Sequence, residues 1–160
     1  MIFVTVGSQK FQFNRLLKEV DELIETGKIK DDVFAQIGVS DYKPKNYKYK
    51  EFITQEEFND YLNKADIIIT HAGTGVIVNA IKKEKKVIGV PRLSKYGEHV
   101  DDHQIQLIKE FTDMNFISAV YNTKELETKL EEIYEKKFSK YESNTQTIIN
   151  DITKFIKGEN

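Results

Sequence analysis

The stretch Ile67-Ile68-Ile69-Thr70-His71-Ala72-Gly73-Thr74-Gly75-Val76-Ile77-Val78-Asn79-Ala80-Ile81 changes character at its middle. Its three consecutive isoleucines, in a segment read as a strand from Ala65 to Thr70, turn no polar side chain toward water. That predicts a strand buried on both faces, as in a parallel sheet. His71 to Gly75 then reads as a loop, and Val76, Ile77, Val78 and Ile81 open a helix. A strand, a glycine-bearing turn and a helix are the first parts of a βαβ unit.

The same alternation continues outward. Ile2 to Val6 is a short apolar run closed by Gly7, and Phe13, Leu16, Leu17, Val20, Leu23 and Ile24 make one helical face that ends near Gly27. Val33 to Ile37 before Gly38 predicts a second strand and Tyr47 to Ile53 a third. A helix around Phe58 to Ala65 has Thr54 as N-cap, with Glu57 completing a capping box. Beyond the central stretch come a strand Val87–Val90 closed by Pro91, a helix around Ile105–Phe111, a strand Phe116–Val120 and a helix Leu126–Tyr134. A last helix is expected over 139–157. Together these predict an α/β fold, a Rossmann-like parallel sheet flanked by helices, in one domain over 1–160. Ile148, Ile149, Ile152, Phe155 and Ile156 give the last helix an apolar stripe, which either packs on the domain's own sheet or meets a partner.

Composition bounds the function. A chain of 160 residues with 24 basic and 26 acidic side chains has a formal charge of −2 and no basic excess for nucleic acid. It has no cysteine, which excludes disulfides, thiol nucleophiles and thiolate metal sites. The first apolar run stops at Gly7 with no basic region before it, unlike a signal peptide, and no stretch has the roughly 20 apolar residues of a membrane span. Any membrane association would have to run through a partner or a surface patch, and a chain free of cysteine is compatible with a reducing cytoplasm without proving one.

Open α/β sheets bind ligands at the carboxyl ends of their strands, where three loops carry polar chemistry: Gly7-Ser8-Gln9, His71–Gly75 and Pro91–Gln104. In the second, the free N–H groups from Thr74 to Val76 and the positive end of the helix dipole suit a diphosphate. Thr74 adds a hydroxyl, and His71 can donate to a phosphate or sugar oxygen. A tight turn with glycines chosen for sterics alone accounts for the same residues. In the third loop Glu98, Asp102 and Gln104 can accept hydrogen bonds from sugar hydroxyls, although Asp101 or Asp102 serves equally as a helix N-cap. Lys82, Lys83, Lys85 and Lys86 close a helix where cations are favoured anyway. Of His71, His99 and His103 only the last two stand four residues apart, and with no cysteine to assist them no metal is expected.

The series IIITHAGTGVIVNAI, VIGVPR and DDHQ resembles the C-terminal, donor-binding domain of GT-B glycosyltransferases of the family 28 type. The opening FVTVGSQKFQFNRLL resembles the start of its small single-domain branch. That branch includes the catalytic subunit of the two-chain UDP-GlcNAc transferase acting on dolichol-linked sugars. It also includes bacterial capsular and exopolysaccharide transferases, similar through YGEHVDDHQ. The resemblance implies that Gly7, Ser8 and Gln9 lie by the diphosphate beside Gly73, Thr74 and Gly75, with Gln36 to Gly38 near the uracil. It places Gln104, with Asp102 and His103, toward the donor sugar. Many relatives carry glutamate eight residues after the motif histidine, where it binds the ribose; Asn79 stands here, and Glu98 is the candidate to compensate.

The resemblance further implies an inverting, metal-independent hexosyltransferase that needs no cofactor besides a UDP-sugar, with galactose or GlcNAc as the leading donors. One domain supplies only the donor half. The acceptor half, a membrane-anchored subunit presenting a polyprenyl-diphosphate-linked glycan, is expected from another chain, for which the last helix is a candidate dock. The general base is unassigned: His71 is the candidate within this chain, and relatives of this build carry it on the acceptor half. A non-catalytic sugar-nucleotide-binding enhancer subunit would keep the same loops. A dinucleotide-binding or flavodoxin-like domain fits less well, because Gly7-Ser8-Gln9 lacks a GxGxxG pattern. Self-pairing is an option for an unpartnered surface.

Overall fold

The computed structural model describes residues 1–142 and 144–156. Six parallel strands form one sheet: β1 (Ile2–Thr5), β2 (Val33–Gln36), β3 (Lys48–Lys50), β4 (Ile67–Thr70), β5 (Lys86–Gly89) and β6 (Ser118–Ala119). Their order is β3-β2-β1-β4-β5-β6, so β1 and β4 are central neighbours, while β3 and β6 are the edges. Ile2 pairs with Ile67 and Thr5 with Thr70, which brings the carboxyl ends of the two central strands level. All residues of β1, β2 and β4 are buried, as their near-continuous apolar character requires.

The helices are α1 (Asn14–Glu25), α2 (Gln55–Lys64), α3 (Thr74–Lys82), α4 (His103–Asp113), α5 (Leu126–Ile133) and α6 (Thr145–Ile156). Alternate strand residues feed two cores. Ile2, Val4, Ile67 and Ile69 pack with Leu16, Leu17 and Val20 of α1 and Leu130 of α5. Phe3 and Ile68 pack on the other face with Leu62 of α2, Ile77 of α3 and Ile108 of α4. Apolar side chains thus leave the central strands β1 and β4 toward both helical layers. Thr54 and Glu57 form the capping box at the start of α2.

Three expected boundaries move. The third strand contracts from Tyr47–Ile53 to Lys48–Lys50 and the last from Phe116–Val120 to two residues, each having a single neighbour to pair with. The last helix starts at Thr145 rather than 139. The Ser139 amide donates to the Asn115 carbonyl (2.9 Å), and the Glu142 amide to Thr145 Oγ1 (2.9 Å), so this backbone is committed elsewhere. Residue 157 of the expected helix lies outside the described residues. The stripe of α6 packs on α4 rather than on the sheet: Ile149 joins Leu107 and Phe111, while Ile148 and Phe155 remain exposed.

Candidate functional site

The chain leaves β1 toward β2 on one side and leaves β4 toward β5 on the other, so the loops after these neighbours diverge. That divergence marks the switch point of the sheet, where open α/β folds bind ligands. A polar ladder crosses three strand ends there: Thr70 Oγ1 donates to the Thr5 carbonyl (2.9 Å), and Thr5 Oγ1 donates to Gln36 Oε1 (2.9 Å). Gln36, expected near a uracil, is buried and joins β2 to β1. Gly38 has a positive φ of 58° and touches the first loop, since a Cβ there would lie 3.0 Å from the Gly7 carbonyl oxygen.

The first two loops meet at one imidazole. A Cβ on Gly7 would lie 2.6 Å from His71 Nε2, and one on Gly73 would lie 2.8 Å from His71 Cε1 and Nε2. The ring is therefore held between two glycines, and both positions demand glycine on steric grounds. His71 is buried, and its Nδ1 has no hydrogen-bond partner. Burial, reinforced by the positive charge of Arg92 and by His99, pulls its pKa down to about 3. The ring is neutral at physiological pH and far from the pKa near 7 that suits a general base. This argues against His71 in that role.

Next to this ring α3 begins without a side-chain cap: Gly73 is its N-cap, and Ile77 is the first residue to donate within the helix, to the Gly73 carbonyl (3.0 Å). The amides of Thr74, Gly75 and Val76 are left as outward donors at the positive end of the dipole. Gly75 has open space where a Cβ would stand. Ser8 and Gln9 are exposed on the opposing loop, and Asn79 is exposed more than a turn along α3.

The third loop is built differently from the sequence expectation. Glu98 is fully buried and accepts from Arg15 Nε (3.0 Å), Arg15 Nη2 (3.0 Å) and the Leu93 amide (2.9 Å). Its carboxylate is consumed inside the protein, which removes it as a substitute for the ribose-binding glutamate. Asp102 precedes α4 but does not cap it; Oδ1 accepts from the amide (2.8 Å) and hydroxyl (3.1 Å) of Ser94. The His103 amide instead donates to Asp101 Oδ1 (3.0 Å), and the His103 side chain is exposed. Gln104 is buried, with Oε1 accepting from the Arg92 amide (2.9 Å) and more weakly from the Ala72 amide (3.4 Å). It ties the start of α4 to the loops after β4 and β5 and leaves its amide nitrogen as the group it can offer. No three histidine, aspartate or glutamate side chains converge as a metal site among the described residues.

The sequence alone assigns no role to Arg15, or to Arg92 within the Pro91–Gln104 loop. Arg92 follows Pro91 at the end of a buried strand and is fully buried (0% exposed). A cation beside a proline at the carboxyl end of a central strand, six residues before a glutamate, was the available signal.

The six-stranded parallel sheet, with helices on both faces and open loops at its switch point, defines a Rossmann-like domain. The chain belongs to the glycosyltransferase family 28 C-terminal domain family, whose model matches residues 1–158. It is 27% identical over 144 residues to the UDP-N-acetylglucosamine transferase subunit ALG13 of Candida albicans, covering 86% of this chain and 47% of that protein. The chain thus spans about half the length of this relative. An NMR structure of ALG13 superposes with a TM-score of 0.61 at 18% identity, over 98% of this chain and 96% of that one. MurG of Acinetobacter baumannii gives a TM-score of 0.60 at 18% identity, over 96% of this chain and 49% of that one. The architecture is that of the glycosyltransferase neighbours.

Proposed function

We propose that this chain is the donor-binding half of a UDP-sugar-dependent hexosyltransferase whose acceptor half is a separate subunit. The observation that carries the reading is the start of α3, which no side chain caps and which lies at the His71 ring that also meets Gly7 of the first loop. Free amides at such a start stabilise the charge that develops on a departing UDP without a metal. The acceptor hydroxyl attacks the anomeric carbon with inversion, and the buried, neutral His71 directs the search for a base to the acceptor half. The relative's name, a transferase subunit for UDP-N-acetylglucosamine, supports a multi-chain enzyme and that donor; UDP-galactose is the second donor to try. A capsular or exopolysaccharide acceptor at the inner face of the plasma membrane is proposed from the resemblance of the YGEHVDDHQ stretch alone.

Thermal unfolding with UDP, UDP-GlcNAc, UDP-galactose, ADP and NAD tests this directly. A ligand at 100 times its Kd adds about 2.7 kcal/mol to the native state, a shift of several degrees. We expect shifts with the uridine ligands, lost in Gly73→Asp, where a carboxylate enters the anion site and its Cβ collides with His71. A shift with NAD and none with UDP would overturn the reading.

A further inference from the structure

Arg92 is one of the largest fully buried side chains in the protein, and among the described residues its guanidinium forms no ion pair, although the negative charge of Glu98 favours its ionised form. It spends its donors on backbone carbonyls. Nη1 donates to Phe11 (3.1 Å), Gln12 (3.1 Å) and Glu98 (3.3 Å), Nη2 donates to Val6, and Nε has no partner. The group also lies 5.0 Å from the ring centroid of Phe13. Val6, Phe11 and Gln12 bracket the Gly7–Gln9 loop on both sides.

A buried cation that serves only packing is costly, since apolar groups of similar volume often do as well or better. A rigid fork that reaches carbonyls on both sides of one loop has a different use. Around it, Arg15 grips Glu98 through two nitrogens and also donates to the Pro91 carbonyl (3.2 Å), so the loop after β5 is fixed in turn. The Arg92 amide reaches Gln104 at the head of α4 (2.9 Å).

We propose that Arg92 is a positioning residue that holds the Gly7–Gln9 loop in its ligand-ready shape before any ligand arrives, by clasping the backbone on both sides of it. The guanidinium remains charged at neutral pH, although burial brings its pKa down to about 10. The proposal rests on the donor-site reading for its ligand but not for its geometry. Lysine at 92 keeps the charge yet cannot fork to carbonyls on both sides of the loop.

The test compares the wild type with Arg92→Lys, well below the melting temperature, by amide hydrogen exchange without ligand and by UDP titration. The expected result is about tenfold faster exchange at residues 6–12, with β4 amides unchanged, and UDP affinity about tenfold weaker. Unchanged exchange at 6–12, or UDP affinity equal to that of the wild type despite a lower melting temperature, would mean that Arg92 only props up the fold. If the wild type itself fails to bind UDP, the donor-site reading falls, while the exchange comparison still decides the role of Arg92. Should Arg92→Lys not fold, Arg15→Met loosens the same clasp from its outer side. Faster exchange at 6–12 in that variant supports the proposal, and unchanged exchange overturns it.

Discussion

Gly7 and Gly73 come from different loops yet answer to the same ring, and they differ in one respect that can be measured. Gly7 sits at a φ of 74°, where an L-residue is strained whatever surrounds it, whereas Gly73 has an ordinary φ of −79°. Alanine at 73 meets the His71 ring first and should cost about 1–3 kcal/mol by overpacking. In a His71→Ala background that cost should fall to about 1 kcal/mol or less, the residue of a poorer N-cap. Alanine at 7 meets the same ring in the wild type, but in the His71→Ala background it should keep a cost of about 1–2 kcal/mol, because the left-handed backbone persists. Urea unfolding of the two double-mutant cycles checks this. A cost at position 7 that vanishes with the ring would show that the ring, not the backbone, sets both requirements. The sequence showed that glycine was wanted at these positions, and offered two reasons for it. The reason that the geometry supplies at Gly7, contact with an imidazole from the loop after another strand, is a long-range property invisible in a local motif.

Among the elements, α6 presents two unlike faces. Ile149 is 1% exposed against α4, whereas Phe155 is 85% exposed. Ile149→Ala should cost about 2–5 kcal/mol through the cavity left between the helices. Phe155→Ser should change stability by no more than about 0.5 kcal/mol. Chemical denaturation of both variants checks the contrast, and a large loss from Phe155→Ser would show that its exposed face is covered in solution. The apolar periodicity of this helix was legible, as were the central strands, whose apolar runs need no partner to be recognised. Its start was not legible, because the amides of Ser139 and Glu142 are taken by acceptors that only the folded chain brings near. The edge strands were overestimated for a related reason: a strand ends where its neighbour stops pairing, and apolar side chains such as Phe116 and Ile117 stay buried beyond that point. Glu98 was misjudged because its partner, Arg15, lies on α1, far away in sequence.

For the molecule as a whole, acid stability follows from two buried groups. His71 is held neutral in the fold, with a pKa near 3 against 6.5 when unfolded, so the unfolded chain binds the extra proton between those values. Stability is then fully present above about pH 6.5 and is lost as pH falls, by up to about 1.4 kcal/mol per pH unit. Asp21 adds to this further down. Burial alone would raise its pKa, but hydrogen bonds from Tyr42 and from the amides of Lys45 and Asn46 outweigh burial and hold it low. Its contribution fades as pH falls below the ordinary aspartate value. Melting temperatures from pH 7 to 4 should therefore decline, and His71→Gln should flatten the upper part of that decline. An unchanged slope in the variant would place the titrating group elsewhere.

The two rims of the sheet carry a consequence for assembly. On β3 the exposed lysines 48 and 50 flank one partly buried tyrosine, and β6 offers only two residues. Short, charged borders of this kind give an incoming strand little to pair with and guard against edge-to-edge aggregation. Another polypeptide that joins this one finds its purchase on loops and helix faces, by matching side chains, rather than by lengthening a ribbon of backbone hydrogen bonds.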